Sequence, residues 1–364
     1  MKLPRDEAFA RIRLLRSPNI GPVSYRQLLL RYGDAARALA ALPDLAARGG
    51  KPYRPADERR IEAEVAAVRH AGARYLFHDS PDYPPLLALT EAPPPILVTR
   101  GDATLASRRA VAVVGARNAS AGAVKLARDF AAGLAEAGWA VVSGLARGID
   151  GAAHQGALSA GATIGVIASG IDIAYPPEHA ALQERVAREG LLIAEQAPGT
   201  EPLARHFPAR NRIIAGLAAG TLVVEAAPKS GSLITARLAA EYGREVMAVP
   251  GSPLDSRAHG CNQLIRDGAV LVQSPDDVIE LLSGFGGMPR STFREAAPDC
   301  MPFAIAEAQA PADLSGMLTL APVAVDELIR QTGESAATVQ LALLELEIAG
   351  RLRRHAGGRV SLAA

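Results

Sequence analysis

Basic and small polar residues recur wherever an apolar run gives way to a helical pattern. Arg117 follows the run at 110–114, and Ser143, Gly144 and Arg147 follow 140–142. Arg205, Arg210, Asn211 and Arg212 open the helical stretch after 191–194, and Lys229, Ser230, Gly231, Ser232 and Thr235 follow 221–224. A guanidinium presents planar, paired N–H donors that match a phosphate. Glycines and hydroxyls at a helix start leave backbone N–H groups facing an anion. The chemistry these residues suit is anion binding by many donors at once. The acids placed to offset them are Asp150, Glu195 and Glu225. A second reading is therefore that Arg147 and Arg212 are held by such carboxylates inside the fold.

Other chemistries find less support. The first turn reads Gly115-Ala116-Arg117-Asn118-Ala119-Ser120, with arginine where a dinucleotide fingerprint has its second glycine, and no Gly-Lys-Ser/Thr phosphate loop occurs at Gly115 or Gly231. No bound NAD, ATP or other cofactor is expected. Asp150 and His154 stand four apart and would share a helix face. Two side chains do not make a metal site, and no G-x-S-x-G elbow presents a serine nucleophile. We read Asp150 as the cap of a helix running from Gly151 and His154 as packed beneath a sheet. No catalytic residue and no metal ligand is assigned. Cys261 and Cys300 are too few for a disulfide scaffold or a zinc ribbon.

The elements that must carry these loops follow from periodicity. Seven short apolar runs, at 110–114, 140–142, 163–168, 191–194, 221–224, 245–249 and 269–272, alternate with helical patterns. Near-continuous apolar strands are buried on both faces, as in a parallel sheet, and strand–helix alternation predicts a doubly wound α/β domain at 106–283. In such sheets ligands bind beyond the carboxyl ends of the strands, where the basic loops fall. Residues 1–75 read as a small helical domain, with two short helices around Ser17-Pro18-Asn19-Ile20-Gly21-Pro22 resembling a helix-hairpin-helix (SAM-like) module. Pro22 lacks the N–H that a phosphate would use, so a packing role is favoured. Residues 76–105, proline-rich at 81–95, read as an extended connector. After a Gly/Pro/Ala-rich linker at 284–314, residues 315–364 read as a winged-helix domain. Its second helix carries Glu345 and Glu347 and no Lys or Arg, which favours protein contact over DNA.

The chain has 364 residues, a net charge of +1, 49% hydrophobic and 4% aromatic residues. That excludes a histone-like polycation and a surface of stacked rings, though not a local basic patch. No apolar run reaches the roughly 18 residues of a membrane span, and the N-terminus lacks a signal-peptide pattern. A cytoplasmic protein with no membrane partner is expected.

Five motifs in order, VVGAR at 113–117, SGLARGID at 143–150 with His154, FPARNRIIAGL at 207–217, SGSLITA at 230–236 and VPG at 249–251, resemble the DNA-processing protein A family, also called DprA or Smf. The resemblance spans about residues 75–280, and the helical and winged-helix ends fit the family layout. It implies an extended Rossmann-like core with a mainly parallel sheet that binds single-stranded DNA without sequence preference. It also implies a homodimer through that core, and loading of the RecA recombinase onto single strands, as in natural transformation. Arg117 would be a main phosphate contact, with Ser143, Gly144, Arg147, Arg210, Asn211, Arg212, Lys229, Ser230, Gly231, Ser232 and Thr235 lining the site. The alternative is a nucleotide phosphoribohydrolase of the lysine-decarboxylase-like group. Aligned on Thr235, however, Leu238 stands where its catalytic glutamate belongs.

Overall fold

The computed structural model describes residues 3–284, 314–355 and 357–363; Cys300 and 285–313 of the expected linker lie outside them. The chain opens with α1 (Arg5–Arg16), α2 (Pro22–Tyr32), α3 (Ala35–Arg48) and α4 (Glu58–His70). Acids lead α1 and arginines close it, matching the helix dipole. Pro22 opens α2, where a missing N–H costs nothing because that group has no intrahelical partner. Asp34 caps α3 by accepting from the Arg37 amide at 2.8 Å.

There follow β1 (Arg74–Phe77), α5 (Pro85–Ala88), β2 (Ile96–Gly101), β3 (Ala110–Val114), α6 (Ala121–Glu136), β4 (Ala140–Ser143), α7 (Ile149–Ala160) and β5 (Thr163–Ile167). Next come α8 (Ala180–Glu189), β6 (Leu191–Ala194), α9 (His206–Leu217), β7 (Gly220–Val223), α10 (Ser232–Glu241), β8 (Glu245–Ala248), α11 (His259–Arg266), β9 (Val270–Leu271) and α12 (Pro275–Ser283). The last elements are β10 (Val323–Ala324), α13 (Val325–Thr332), α14 (Ala336–Ile348), β11 (Leu352–His355) and β12 (Arg359–Leu362). They form a winged helix whose three-stranded sheet has the order β10-β12-β11.

The described residues fold into two compact units, one from residues 64–284, the other from residues 3–63 with those from 314 onward. The first is α/β. Its nine-stranded sheet runs β1-β2-β6-β5-β4-β3-β7-β8-β9. All seven strands expected from the apolar runs are present and pair parallel to one another. Alternate residues of β3 feed opposite layers. Val111 and Val113 pack with Phe130 and Leu134 of α6, while Ala110, Ala112 and Val114 pack with Ile213 and Leu217 of α9. The chain runs from β3 outward through β4, β5 and β6, then crosses back to place β7 on the other side of β3. The switch point therefore lies between β3 and β7, beneath Arg117.

The connector reading is corrected here. Residues 74–77 and 96–101 extend the sheet as β1 and β2, antiparallel to each other and to β6, and the proline-rich stretch between them contains the short helix α5. Leu87 of α5 fits against α9 at Gly216, where a Cβ would stand 2.6 Å from the Leu87 methyl. The prolines masked a strand, Ile96-Leu97-Val98, that is fully buried.

Candidate nucleic-acid interface

The loop that carries Arg117 is pinned on both sides. The Ala116 amide donates to the Glu225 carbonyl at 2.7 Å, and the Ala116 carbonyl accepts from the Ile149 amide at 3.2 Å. Gly115 and Gly148 make this closeness possible. A Cβ on Gly115 would lie 2.6 Å from Ile149, and one on Gly148, where φ is +71°, would lie 2.3 Å from the Ala116 carbonyl oxygen. Among the described residues Glu225 forms no ion pair with an arginine of the cavity. Its carboxylate accepts from the Ser120 amide and hydroxyl at 3.0 and 2.7 Å, fixing the start of α6. The exposed Arg117 side chain thus leaves a rigid backbone at the switch point.

Around it opens a cavity of about 270 Å³ lined by Arg117, Asn118, Gly144, Ala146, Arg147, Ala168, Tyr175, Pro176, Pro202, Phe207 and Arg210. Arg210 forms its buried floor and is 6% exposed. One of its terminal nitrogens donates to the Val166 carbonyl at 3.1 Å. Gly144 lies directly against this guanidinium, since a Cβ there would stand 1.4 Å from Nη1. Burial pulls the Arg210 pKa down to about 10; the Asp150 charge opposes that shift and the Arg117 charge adds to it. Two guanidinium groups therefore face one small cavity and repel each other.

Asp150 is buried beside them. Its carboxylate accepts from the Gly144 amide at 3.1 Å, and burial raises its pKa against the pull of Arg210. This corrects the capping expectation. Helix α7 starts at Ile149 with Gly148 as its N-cap, so Asp150 lies inside the first turn and anchors the preceding loop instead. His154 is fully buried and shares a 2.7 Å hydrogen bond with the Thr163 hydroxyl. Burial lowers its pKa to about 3, so it is a neutral packing residue.

The remaining expected residues divide. Ser143 is turned into the sheet, its hydroxyl donating to the Val113 carbonyl at 2.6 Å. Arg212 is held by Glu195 and by the Ala92 carbonyl, the latter at 2.8 Å. The internal-pairing alternative is correct for that residue. Arg147 remains exposed and pairs with Glu178, an acid outside the sequence-based set. Asn211 reaches the Gly231 carbonyl at 3.3 Å and so links α9 to the loop before α10. In that loop the Ser230 and Ser232 hydroxyls bond each other at 2.8 Å, and Thr235 is 2% exposed. Lys229, with φ +68°, lines a different and larger cavity, about 1040 Å³, beside α10 and α11. The structure therefore brings Arg117, Gly144, Arg147 and Arg210 around one cavity and leaves the loop at 229–235 outside its walls.

Tyr175 was missed. Its ring lies 5.7 Å from that of Phe207, and the Arg117 guanidinium stands 4.9 Å over the Phe207 ring. The signal was available, because the loop after 163–168 also ends a strand at the carboxyl edge. Among the described residues no cluster of three or more metal-ligating side chains occurs, and no helix is long and apolar enough to cross a membrane.

Three family models match the chain: DNA recombination-mediator protein A over residues 74–283, a DprA-like N-terminal HHH domain over 5–67, and a DprA winged helix domain over 304–358. The chain belongs to the DNA recombination-mediator protein A family. It is 44% identical to the DNA processing protein DprA of Bacillus subtilis over 225 residues, 61% of this chain and 76% of that one. The X-ray structure of DNA processing protein A from Streptococcus pneumoniae superposes with a TM-score of 0.63 at 36% identity, covering 77% of this chain and 98% of the other. The Helicobacter pylori DNA processing protein A, described for its unique single-stranded DNA binding mode, superposes with a TM-score of 0.53 at 29% identity, covering 58% and 97%. A Rossmann-like core with helical and winged-helix domains is the layout of this family.

Proposed function

We propose that this protein binds single-stranded DNA without sequence preference in the cavity between Arg117 and Arg210, protects the strand, and loads the RecA recombinase onto it. The observation that carries the reading is two facing guanidiniums in one cavity, with Asp150 as the buried acid beside Arg210. A phosphate entering there would relieve their repulsion and accept bonds from both. The cavity is the size of one nucleotide. Its Tyr175 and Phe207 rings offer a stacking face that an unpaired base reaches and a paired base does not. Family membership and the DNA-binding description of the H. pylori relative support the same ligand class. The reading places the protein in the cytoplasm, where the recombinase works.

No catalytic step is assigned. Leu238 stands on α10 where the phosphoribohydrolase reading needs a carboxylate, and Glu241 ends that helix, far from Ser232 at its start. The homodimer implied by the resemblance needs an open face on the core. Strand β9 ends the sheet with Val270 37% and Leu271 47% exposed, an edge that a second copy would cover.

Titration with single-stranded and duplex oligonucleotides at several salt concentrations tests this function. Each phosphate neutralised on a single strand contributes a slope of about −0.7 in log affinity against log salt. With Arg212 engaged internally, two to four contacts per chain give about −1.4 to −2.8, shallower than the sequence set of arginines would give. Arg117→Ala is expected to weaken single-strand binding about tenfold or more, the scale of one charge-assisted hydrogen bond. Normal binding by folded Arg117→Ala protein would overturn the site.

A further inference from the structure

The two ends of the chain share one unit, and they meet through the elements that their two DNA-binding motifs would use. Helix α14 holds the position of a recognition helix. Val339, Leu343 and Leu346 pack within the winged-helix core. Leu341, Leu344 and Ile348 lie on another face and belong to a second core, built with Leu14, Leu28 and Leu42 of the helical module. A helix with two apolar stripes is buried on both, and α14 keeps no recognition face for a DNA groove.

Polar contacts rim this second core. The Gln27 side-chain amide donates to Gln340 at 2.8 Å, and Arg48 pairs with Glu345 at 3.4 Å. The Asn19 amide donates to the Ile348 carbonyl at 3.0 Å, satisfying the end of α14. Gly49, just past α3, allows the close approach. Its φ is an ordinary −71°, yet a Cβ there would lie 2.4 Å from the Glu345 carbonyl oxygen and 2.6 Å from the Ala349 Cβ. The hairpin turn is also engaged internally. The Gly21 amide donates to the Ser24 hydroxyl at 2.9 Å, and the Tyr53 hydroxyl donates to the Pro18 carbonyl at 2.6 Å.

We infer that the outward face of α14 is a protein-docking surface whose occupant is the chain's own N-terminal helical module. The recognition helix is covered chiefly by α3 and α2, Asn19 of the hairpin turn closes its C-terminal end, and neither motif reads DNA. Charge agrees with this assignment. The acid Glu345 that disfavours phosphate is the one that receives Arg48. The inference rests on the single-strand reading only for where DNA contact remains, in the Rossmann-like unit.

Hydrogen exchange on the full chain tests it independently of DNA. Gly49→Trp drives a wedge against α14 without changing the backbone its own module needs. Glu345→Arg sets two cations together. Each is expected to speed exchange about tenfold or more at 17–22 and 336–348, with β3–β8 unchanged. Adding Arg48→Glu to Glu345→Arg is expected to restore protection, which a merely unfolded module would not show. Duplex affinity is expected to stay within about twofold of the parent in every variant. Unchanged exchange at 336–348 in both single variants would overturn the docking. A duplex affinity raised about fivefold or more would show that the contact masks a DNA-reading surface instead of replacing one.

Discussion

At the scale of single residues, the cavity depends on a glycine as much as on its arginines. Any side chain at position 144 meets the Arg210 guanidinium, so Gly144→Ala must push that group off the Val166 carbonyl. Losing a hydrogen bond to a charged group costs about 1.5–3 kcal/mol. Gly144→Ala is therefore expected to bind single strands about tenfold more weakly while circular dichroism shows the fold retained; parent-like affinity would refute the coupling. His154 gives a pH prediction. Its folded pKa of about 3 lies below the 6.5 of the free side chain, so the unfolded chain binds the extra proton and stability is lost as pH falls from 6.5 towards 3. The slope approaches about 1.4 kcal/mol per pH unit. Urea titrations at pH 6.5, 5.5 and 4.5 are expected to show this slope in the parent and its loss in His154→Gln. Arg117, Gly144, Arg147 and Arg210 were legible in sequence because carboxyl-edge loops are found by counting strands. The inward turn of Ser143 was not, because a serine at a strand end hydrogen-bonds down to the sheet or faces the ligand with the same sequence signature. For Arg212 the pairing with a carboxylate such as Glu195 was one of the readings, but its second partner, the Ala92 carbonyl 120 residues away, was not.

At the scale of elements, buried parallel strands announce themselves as continuous apolar runs, and all seven were read. Strands β1 and β2 escaped because prolines flank them and because Arg74 and Arg100 break the apolar pattern. They pair antiparallel at the end of the sheet, where polar residues are tolerated. Helix α14 was read from Glu345 and Glu347 as favouring protein contact over DNA, but without the segment that meets it. Its apolar residues at 341, 344 and 348 form a stripe separate from 339, 343 and 346, and two stripes on one helix require two partners. Strand β9 is the opposite case, an edge with its apolar side chains uncovered, which proteins rarely leave open. The homodimer proposed through the core would use this edge, so parent protein is expected to sediment as a dimer at micromolar concentration and Leu271→Asp as a monomer, with little change in melting temperature. A parent-like sedimentation coefficient for Leu271→Asp would remove β9 from the interface.

At the scale of the whole molecule, doubly wound α/β folds in general host both enzymes and binding proteins, and the distinction rests on which loop holds a proton donor. Asp150 is the acid buried beneath the cavity, and the Gly144 amide holds its carboxylate. Purified protein is expected to leave nucleoside monophosphates and oligonucleotides intact with or without Mg²⁺. Turnover that vanishes in Asp150→Asn would mean the anchor is a catalyst. A different consequence follows from the sharing of one unit by both ends of the chain. Asn19 and the Ile348 carbonyl it holds are 329 residues apart. Synthesis proceeds at roughly 5–20 residues per second, so the helical module leaves the ribosome tens of seconds before α14 exists. During that interval the face of α3 that receives Leu344 is bare, while the whole α/β unit is free to fold. The core that α1–α3 share with α14 is therefore completed after the α/β unit, and a nascent chain stalled before α14 would display an apolar surface that α14 otherwise covers.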